Sequence, residues 1–323
     1  MIKYSFIIPV KEINNYIWET VSKILQIERQ DFEIIIYPDV CNSDSWEKTK
    51  QIATGHIGPA EKRTLAIKDA VGEILIFIDD DAYPEQNFLD ILDKDFTNEE
   101  LVAVGGPAIT PDNDSFWQKV SGAVFLSSFS GGFPERYISV GEKKFVDDWP
   151  SVNFSIRKNI FIEVGGFNCK FWPGEDTKLC LDVLESGSGK IWYDPDLIVY
   201  HHRREGLLKH LKQIGGYGLH RGYFARVFPE TSLKFKYFLP TLFLLFVVVG
   251  LVGSFLSTII LKLYLLGWFV YFLVLIKILF DTSKYVKMSV ALAALYYVFF
   301  THLYYGLRFI QGLATKELKS QLR

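Results

Sequence analysis

The sequence predicts an α/β domain on a mostly parallel sheet, followed by C-terminal membrane helices. Three observations carry that expectation. Short β-branched runs alternate with helical patterns through the front of the chain, as in a parallel sheet covered on both faces. Residues 238–261 run for 24 positions without an ionisable side chain, against the roughly 20 that cross a hydrocarbon core. Charge is also divided. Residues 231–323 hold ten Lys and Arg against two Asp and Glu, leaving 25 against 35 in residues 1–230. The near-neutral net charge of −2 hides this split. The split excludes a uniform soluble globule, and the 49% hydrophobic content excludes a disordered chain.

Ser5–Pro9 reads as a short buried strand, followed by a helical pattern over Tyr16–Ile27. Phe32–Tyr37 is a second strand, leading into a loop with Asp39 and Asp44. Pro59 opens a helix to about Ala70, and Glu73–Ile78 is the next strand. Ligands of open α/β sheets sit beyond the carboxyl ends of the strands. That rule directs attention to Pro9, Asp39 and the triplet Asp79-Asp80-Asp81. Three adjacent carboxylates repel one another unless a cation sits among them. In extended chain Asp79 and Asp81 share a face and Asp80 points away. Two oxygen ligands on one face suit Mg²⁺ or Mn²⁺. A solvated acidic turn capping a helix from near Pro84 fits the triplet equally well.

Further on, Glu175 and Asp176 open the helical pattern Thr177–Glu185. They suit a general base for a hydroxyl acceptor and, equally, the favourable field of a helix N-terminus. Leu197–Tyr200 is the last expected sheet strand, and His201 follows it. Four of the six histidines, His201, His202, His210 and His220, fall among Arg203, Arg204, Lys209 and Lys212. This stretch reads as a basic surface on anionic headgroups. Gly105-Gly106, Gly131-Gly132 and Gly165-Gly166 lack a phosphate-loop lysine and read as loop corners. Asp147-Asp148 reads as a turn, and Trp117, Trp149 and Trp172 as core residues or stacking platforms.

In the tail, spans are expected at about 238–261, 263–280 and 288–310, the first two a hairpin divided by Lys262. Tyr296, Tyr297, Tyr304 and Tyr305 give the third segment two placements, across the membrane or in its interface. Lys316, Lys319 and Arg323 conflict with three full spans if the front is cytosolic. The apolar run after Met1 stops at Pro9, too short for a signal peptide. Lys234, Lys236, Lys284 and Lys287 flank the hairpin. The expectation is therefore a multi-pass protein of the inner (cell) membrane with a cytosolic catalytic domain. Cys41, Cys169 and Cys180, odd in number and without metal-like spacing, fit a reducing compartment.

The ordered set Phe6-Ile7-Ile8-Pro9, Asp39, Gly58-Pro-Ala-Glu-Lys-Arg63 and Gly72-to-Asp81 resembles the nucleotide-binding half of family-2 glycosyltransferases. Asn153, Val164-Gly-Gly-Phe167, Gly174-Glu-Asp176, Leu179 and Tyr193-Asp-Pro195 resemble their acceptor half, in the right order. The resemblance covers roughly residues 3–225 and implies the GT-A fold. It divides a front domain, 1–230, into a nucleotide-binding half, 1–107, and an acceptor half with an interfacial segment, 108–230, before a transmembrane region at 237–310. By the same resemblance Pro9, Asp39, Lys62, Arg63, Asp79 and Asp80 bind the nucleotide sugar. Asp81, supported by Asp79, holds a divalent cation, Mg²⁺ or Mn²⁺. Asp176 is the catalytic base with Glu175 orienting, and His201 and Gln213 face the acceptor or diphosphate. The chain departs from the family with Pro38 before Asp39 and Thr64 in place of asparagine. After Gln213, Gly216 and Tyr217 replace the arginine and tryptophan of polymer-extruding synthases, which argues against that activity.

The expected function is inverting transfer from a nucleotide-diphosphate sugar to a lipid-linked polyprenyl glycan at the membrane, for cell-surface glycan synthesis. No nucleic-acid partner is expected. A polyprenyl-phosphate sugar synthase, a nucleotidyltransferase and a membrane-tethered nucleotide-binding scaffold are the alternatives.

Overall fold

A computed structural model describes residues 1–169 and 171–318. Its strands are β1 (Tyr4–Pro9), β2 (Phe32–Tyr37), β3 (Thr49–Gln51), β4 (Ile74–Ile78), β5 (Ala82–Pro84), β6 (Leu101–Gly105), β7 (Ala108–Ile109), β8 (Lys144–Phe145), β9 (Asn153–Arg157), β10 (Lys190–Tyr193) and β11 (Val199–His201). The helices up to residue 200 are α1 (Asn15–Leu25), α2 (Pro59–Thr64), α3 (Ala66–Asp69), α4 (Phe88–Asp95), α5 (Phe116–Ala123), α6 (Lys158–Glu163) and α7 (Glu175–Ser186). Then follow α8 (Leu207–Val227), α9 (Pro229–Ser232), α10 (Phe235–Ser254), α11 (Thr258–Thr282) and α12 (Met288–Ala314). The described chain forms two compact units, one of Met1–Pro111 with Ile138–His202, the other of Asp112–Tyr137 with Arg203–Leu318.

In the first unit, the described strands form a sheet of eight in the order β3-β2-β1-β4-β9-β6-β10-β8. β1 runs parallel to β2 and β4, β2 to β3, and β6 to β10. β1 shows why such strands are apolar without alternation. Phe6 and Ile8 enter one core with Ile17, Val21 and Phe88, and Ile7 enters the other with Leu75, Phe77 and Phe161. Successive side chains face opposite ways, so a strand covered on both faces needs both sets. The antiparallel β9, between β4 and β6, is a central strand that the alternating pattern did not reveal. A second, three-stranded sheet has the order β5-β11-β7.

Several local expectations change. The helix expected from Pro59 to Ala70 breaks into α2 and α3 at Leu65. No helix starts near Pro84. Residues 82–84 form β5, paired with β11, and the helix begins at Phe88. Proline disfavours the helical region for the residue before it, and Tyr83 is extended in β5. The last expected strand moves to Val199–His201, so His201 lies on it and not after it. Gly105 and Gly106 are points of close approach, not loop corners. A Cβ on Gly105 would lie 1.9 Å from Trp149 Cδ1, and one on Gly106 1.8 Å from the Leu197 carbonyl oxygen. Trp149 is buried there and its indole donates to the Gly106 carbonyl at 3.1 Å. Gly106→Ala is expected to destabilise the chain by roughly 2–3 kcal/mol, since backbone must move to admit the methyl. A drop in the thermal midpoint of the detergent-solubilised protein checks this, and an unchanged midpoint contradicts it.

Among the described residues of the second unit, α10, α11 and α12 are long and apolar enough to cross a membrane. The joint of the hairpin is not Lys262, which lies inside α11. It is residues 255–257, where the Ser257 hydroxyl caps α11 by accepting from the Ile259 N–H at 3.3 Å. The third segment is the most buried of the three apolar windows, 44% against 11% and 6%. Glycines explain this. A Cβ on Gly222 of α8 would meet the Phe309 carbonyl of α12 at 2.1 Å, and one on Gly312 the Leu219 carbonyl at 2.1 Å. Small residues let two backbones touch, as in membrane helix pairs. Lys316 follows α12, whereas Lys319 and Arg323 lie outside the described residues.

Candidate active site

The site of the first unit grows from the end of β4. After Ile78 the chain turns, the Ala82 N–H donating to the Asp79 carbonyl at 3.2 Å. β5 then pairs antiparallel with β11, Ala82 opposite His201. The His202 N–H closes the pair on the Asp81 carbonyl at 3.0 Å. This pairing brings together residues 120 positions apart, with His201 Nε2 3.1 Å from Asp81 Oδ1 and both side chains buried. Asp79, Asp81 and His201 each offer a ligand atom, and these atoms lie within 4.8 Å of one another. Asp80 contributes a backbone carbonyl that accepts from the Thr20 hydroxyl at 3.3 Å.

The donor set fits a divalent cation. Two carboxylates suit a hard ion, and the imidazole tilts the set from Mg²⁺ toward a transition ion such as Mn²⁺. Holding the buried Asp81 carboxylate beside the half-buried Asp79 is costly without positive charge near them. His201 is thus placed with the triplet, and sequence spacing alone gave no hint of how close.

The cations come from α2. Pro59 sits in its first turn, and Glu61 reaches back to accept from the Gly58 N–H at 2.8 Å. Lys62 and Arg63 are only 3% exposed, so they do not decorate a surface. Lys62 donates to the Val10 carbonyl at 2.6 Å, just beyond Pro9 and the end of β1, and pairs with Asp39. His56 approaches the other Asp39 oxygen at 3.1 Å. Burial works to raise the Asp39 carboxyl, but the hydrogen bonds from Lys62 and His56 outweigh it and hold the group below the usual carboxylate range.

Arg63 forks. One terminal nitrogen holds Asp79 and the other donates to Glu175 Oε1 at 3.1 Å. It thereby ties the end of β4 to the start of α7. Glu175 is fully enclosed. Burial first, and then the Asp176 charge, push its carboxyl upward against the opposing pull of Arg63. Among the described residues its Oε2 has no hydrogen-bond partner. Asp176, next along α7, is half-buried and accepts from the Thr177 N–H at 2.8 Å. Gly174 allows the chain to enter α7 with φ +112°, a conformation costly for other residues. Thr64, where the family pattern has asparagine, accepts from the Phe167 N–H at 3.1 Å and so anchors the Gly-Gly-Phe turn.

Sequence reasoning missed the Asp79–Arg63–Glu175 bridge, which joins residues 112 positions apart. It also missed the anchor of α7. Asp148, read as part of a turn, is buried and accepts from the Thr177 hydroxyl at 3.0 Å. Gln213 lies in the second unit, on α8, where its amide donates to the Tyr217 hydroxyl at 3.0 Å. The basic stretch is not uniformly a lipid-facing surface. His210 sits between the Ser121 and Thr301 hydroxyls at 2.8 and 2.9 Å, and burial lowers it to about 4. Burial also lowers His220 to about 4.

An α/β sheet with an acidic, metal-competent cluster beyond its carboxyl ends is the architecture of a GT-A fold. Residues 5–165 match the profile of Glycosyl transferase family 2, and the chain belongs to that family as a glycosyltransferase. It is 24% identical over 240 residues to a Methanococcus voltae protein, dolichyl N-acetyl-alpha-D-glucosaminyl phosphate 3-beta-D-2,3-diacetamido-2,3-dideoxy-beta-D-glucuronosyltransferase, covering 69% of this chain and 74% of that one. It is also 24% identical over 212 residues to a glucosyl-dolichyl phosphate glucuronosyltransferase of Haloferax volcanii, covering 57% of this chain and 63% of the relative. Among solved structures, S. aureus TarS 1-349 in complex with UDP-GlcNAc aligns with a TM-score of 0.45 at 17% identity, over 68% of this chain and 66% of that one.

Proposed function

We propose that this protein moves a sugar, with inversion, from a nucleotide-diphosphate sugar to a lipid-linked acceptor at a membrane. The observation that carries the reading is the convergence of Asp79, Asp81 and His201 at 4.8 Å or less, bridged through Arg63 to Glu175 at the start of α7. The lipid nature of the acceptor draws support from three membrane-competent helices and from two relatives whose names specify dolichyl phosphate substrates. The front domain is read as cytosolic, with a multi-pass anchor in the cell membrane.

Asp79, Asp81 and His201 would hold Mg²⁺ or Mn²⁺, which when bound offsets the negative charge developing on a diphosphate leaving group. The protein supplies the rest. Lys62 holds Asp39 in place for the nucleotide, and Arg63 fixes Asp79 while neutralising part of the acidic cluster. Asp176 accepts the proton of the acceptor hydroxyl as its oxygen attacks the sugar carbon from the face opposite the leaving group. The new carbon–oxygen bond forms as the bond to the diphosphate breaks, and nucleoside diphosphate departs. Glu175, raised by burial, stands beside this base as an orienting group.

A panel of nucleotide sugars with native lipid extract is expected to yield nucleoside diphosphate and a glycolipid one sugar heavier for one donor. Nucleotidyl transfer, read as pyrophosphate release, would contradict the reading, as would donor binding without turnover on any lipid.

A further inference from the structure

The second unit holds a charged cluster that the proposed chemistry does not use. The Phe133 and Tyr237 rings lie 6.0 Å apart. Lys236 Nζ sits 4.0 Å from the Phe133 centroid and 5.5 Å from that of Tyr237. The Arg136 guanidinium lies 4.6 Å from the Phe133 centroid, and that of Arg221 4.9 Å from Tyr237. Three cations from a turn, from α8 and from α10 thus converge on two rings. Arg221 also donates to the Ser232 hydroxyl at 3.3 Å, and Ser232 lies 3.0 Å from the Thr231 hydroxyl.

The position of the cluster matters as much as its charge. Lys236 and Tyr237 stand in the first turn of α10, a membrane-competent helix. Around them Leu233, Phe235, Leu239 and Leu242 are exposed apolar side chains. A cation at the foot of an apolar helix lies at the depth of lipid phosphates. Guanidinium forks match phosphate oxygens in pairs, and hydroxyls add neutral donors. The acids on the same elements are Glu135, on the Pro134–Arg136 turn, and Glu230, exposed on α9. Against these two acids stand the four cations Arg136, Arg221, Lys234 and Lys236.

We propose that Arg136, Arg221 and Lys236, with Ser232 and Thr231, bind the phosphate or diphosphate head of a membrane lipid, whose chain lies along the apolar start of α10. Naming that lipid as the acceptor rests on the proposed function. The site itself rests on the residues above.

The test uses the full chain in nanodiscs of neutral phosphatidylcholine, with a long-chain polyprenyl diphosphate, the corresponding polyprenol and inorganic pyrophosphate as probes. Wild-type protein is expected to bind the polyprenyl diphosphate well above the other two, and less tightly as salt rises. Arg221→Ala/Lys236→Ala is expected to weaken this binding about tenfold or more, as loss of charge-assisted hydrogen bonds does, with nucleotide-sugar binding retained as the sign of a folded chain. Should the double variant lose the donor as well, Lys236→Gln at an exposed position gives the same readout with a smaller loss. Equal affinity of variant and wild type overturns the site. Pyrophosphate binding as tight as the lipid's overturns the lipid source in favour of a soluble diphosphate, and polyprenol binding as tight overturns headgroup recognition. Failure of the wild type to glycosylate any lipid would sink the proposed function through product analysis, leaving the variant-to-wild-type binding ratio as a separate measurement.

Discussion

Asp176→Asn is expected to lower turnover by about 10²–10⁴-fold, the usual contribution of a positioned general base, with nucleotide-sugar affinity within about twofold of wild type. The substitution is nearly isosteric. Asparagine can still accept from the Thr177 N–H, the 2.8 Å bond that Asp176 makes at the start of α7. The buried anchor of that helix, Thr177 on Asp148, is untouched. What the change removes is the capacity to take a proton near neutral pH. Glu175 cannot stand in. It is enclosed, one of its oxygens is committed to Arg63, and burial pushes it toward the protonated form. The measurement is single-turnover release of nucleoside diphosphate at saturating donor, with donor affinity from calorimetry. Near-normal turnover would move the base elsewhere, and a phosphate acceptor, which needs little help in losing a proton, would then become the better reading.

How much of this could be read without coordinates depends on the range of each interaction. β1, β2 and β4 were legible because a strand buried on both faces must be apolar at every position, and Tyr4–Pro9, Phe32–Tyr37 and Ile74–Ile78 are buried almost throughout. β9 was not, because Asn153–Arg157 mixes polar and apolar residues. Its polar members are satisfied from afar. The Asn153 amide donates to the Pro107 and Leu197 carbonyls, and Arg157 to the Leu101 carbonyl. The three membrane-competent helices were legible from length and hydropathy, but their ends were not. Lys262 looked like a break because a charge interrupts an apolar run, whereas Ser257 makes the break by capping. The acidic triplet and the α7 acids stood out as local patterns. The resemblance sets His201 toward a diphosphate, but its approach to Asp81 follows from the β5–β11 register, and that Arg63 faces two acids follows from where α2 is buried.

His201→Ala is expected to weaken Mn²⁺ binding, in the presence of nucleoside diphosphate, by about a hundredfold, and Asp81→Ala by more, as loss of a ligand should cost at least the roughly tenfold to hundredfold of a lost supporting contact. The ranking follows from charge. Removing Asp81 deletes an anionic ligand and leaves His201 without its carboxylate neighbour at 3.1 Å. Removing His201 deletes a neutral ligand and leaves Asp79 and Asp81 facing one another. Arg63 holds Asp79 in either variant, so the loss should be graded and not total. Mn²⁺ offers a direct readout, because the free ion is counted by its electron spin resonance signal independently of turnover. A His201→Asp variant sharpens the test. A third carboxylate in place of imidazole should shift preference from Mn²⁺ toward Mg²⁺, since oxygen-only sets suit the harder ion. If His201→Ala titrates like wild type, imidazole is not a ligand. The contact with Asp81 would then serve only to seat the β5–β11 pair, and Asp79 and Asp81 would have to hold the ion with oxygens supplied by the substrate diphosphate.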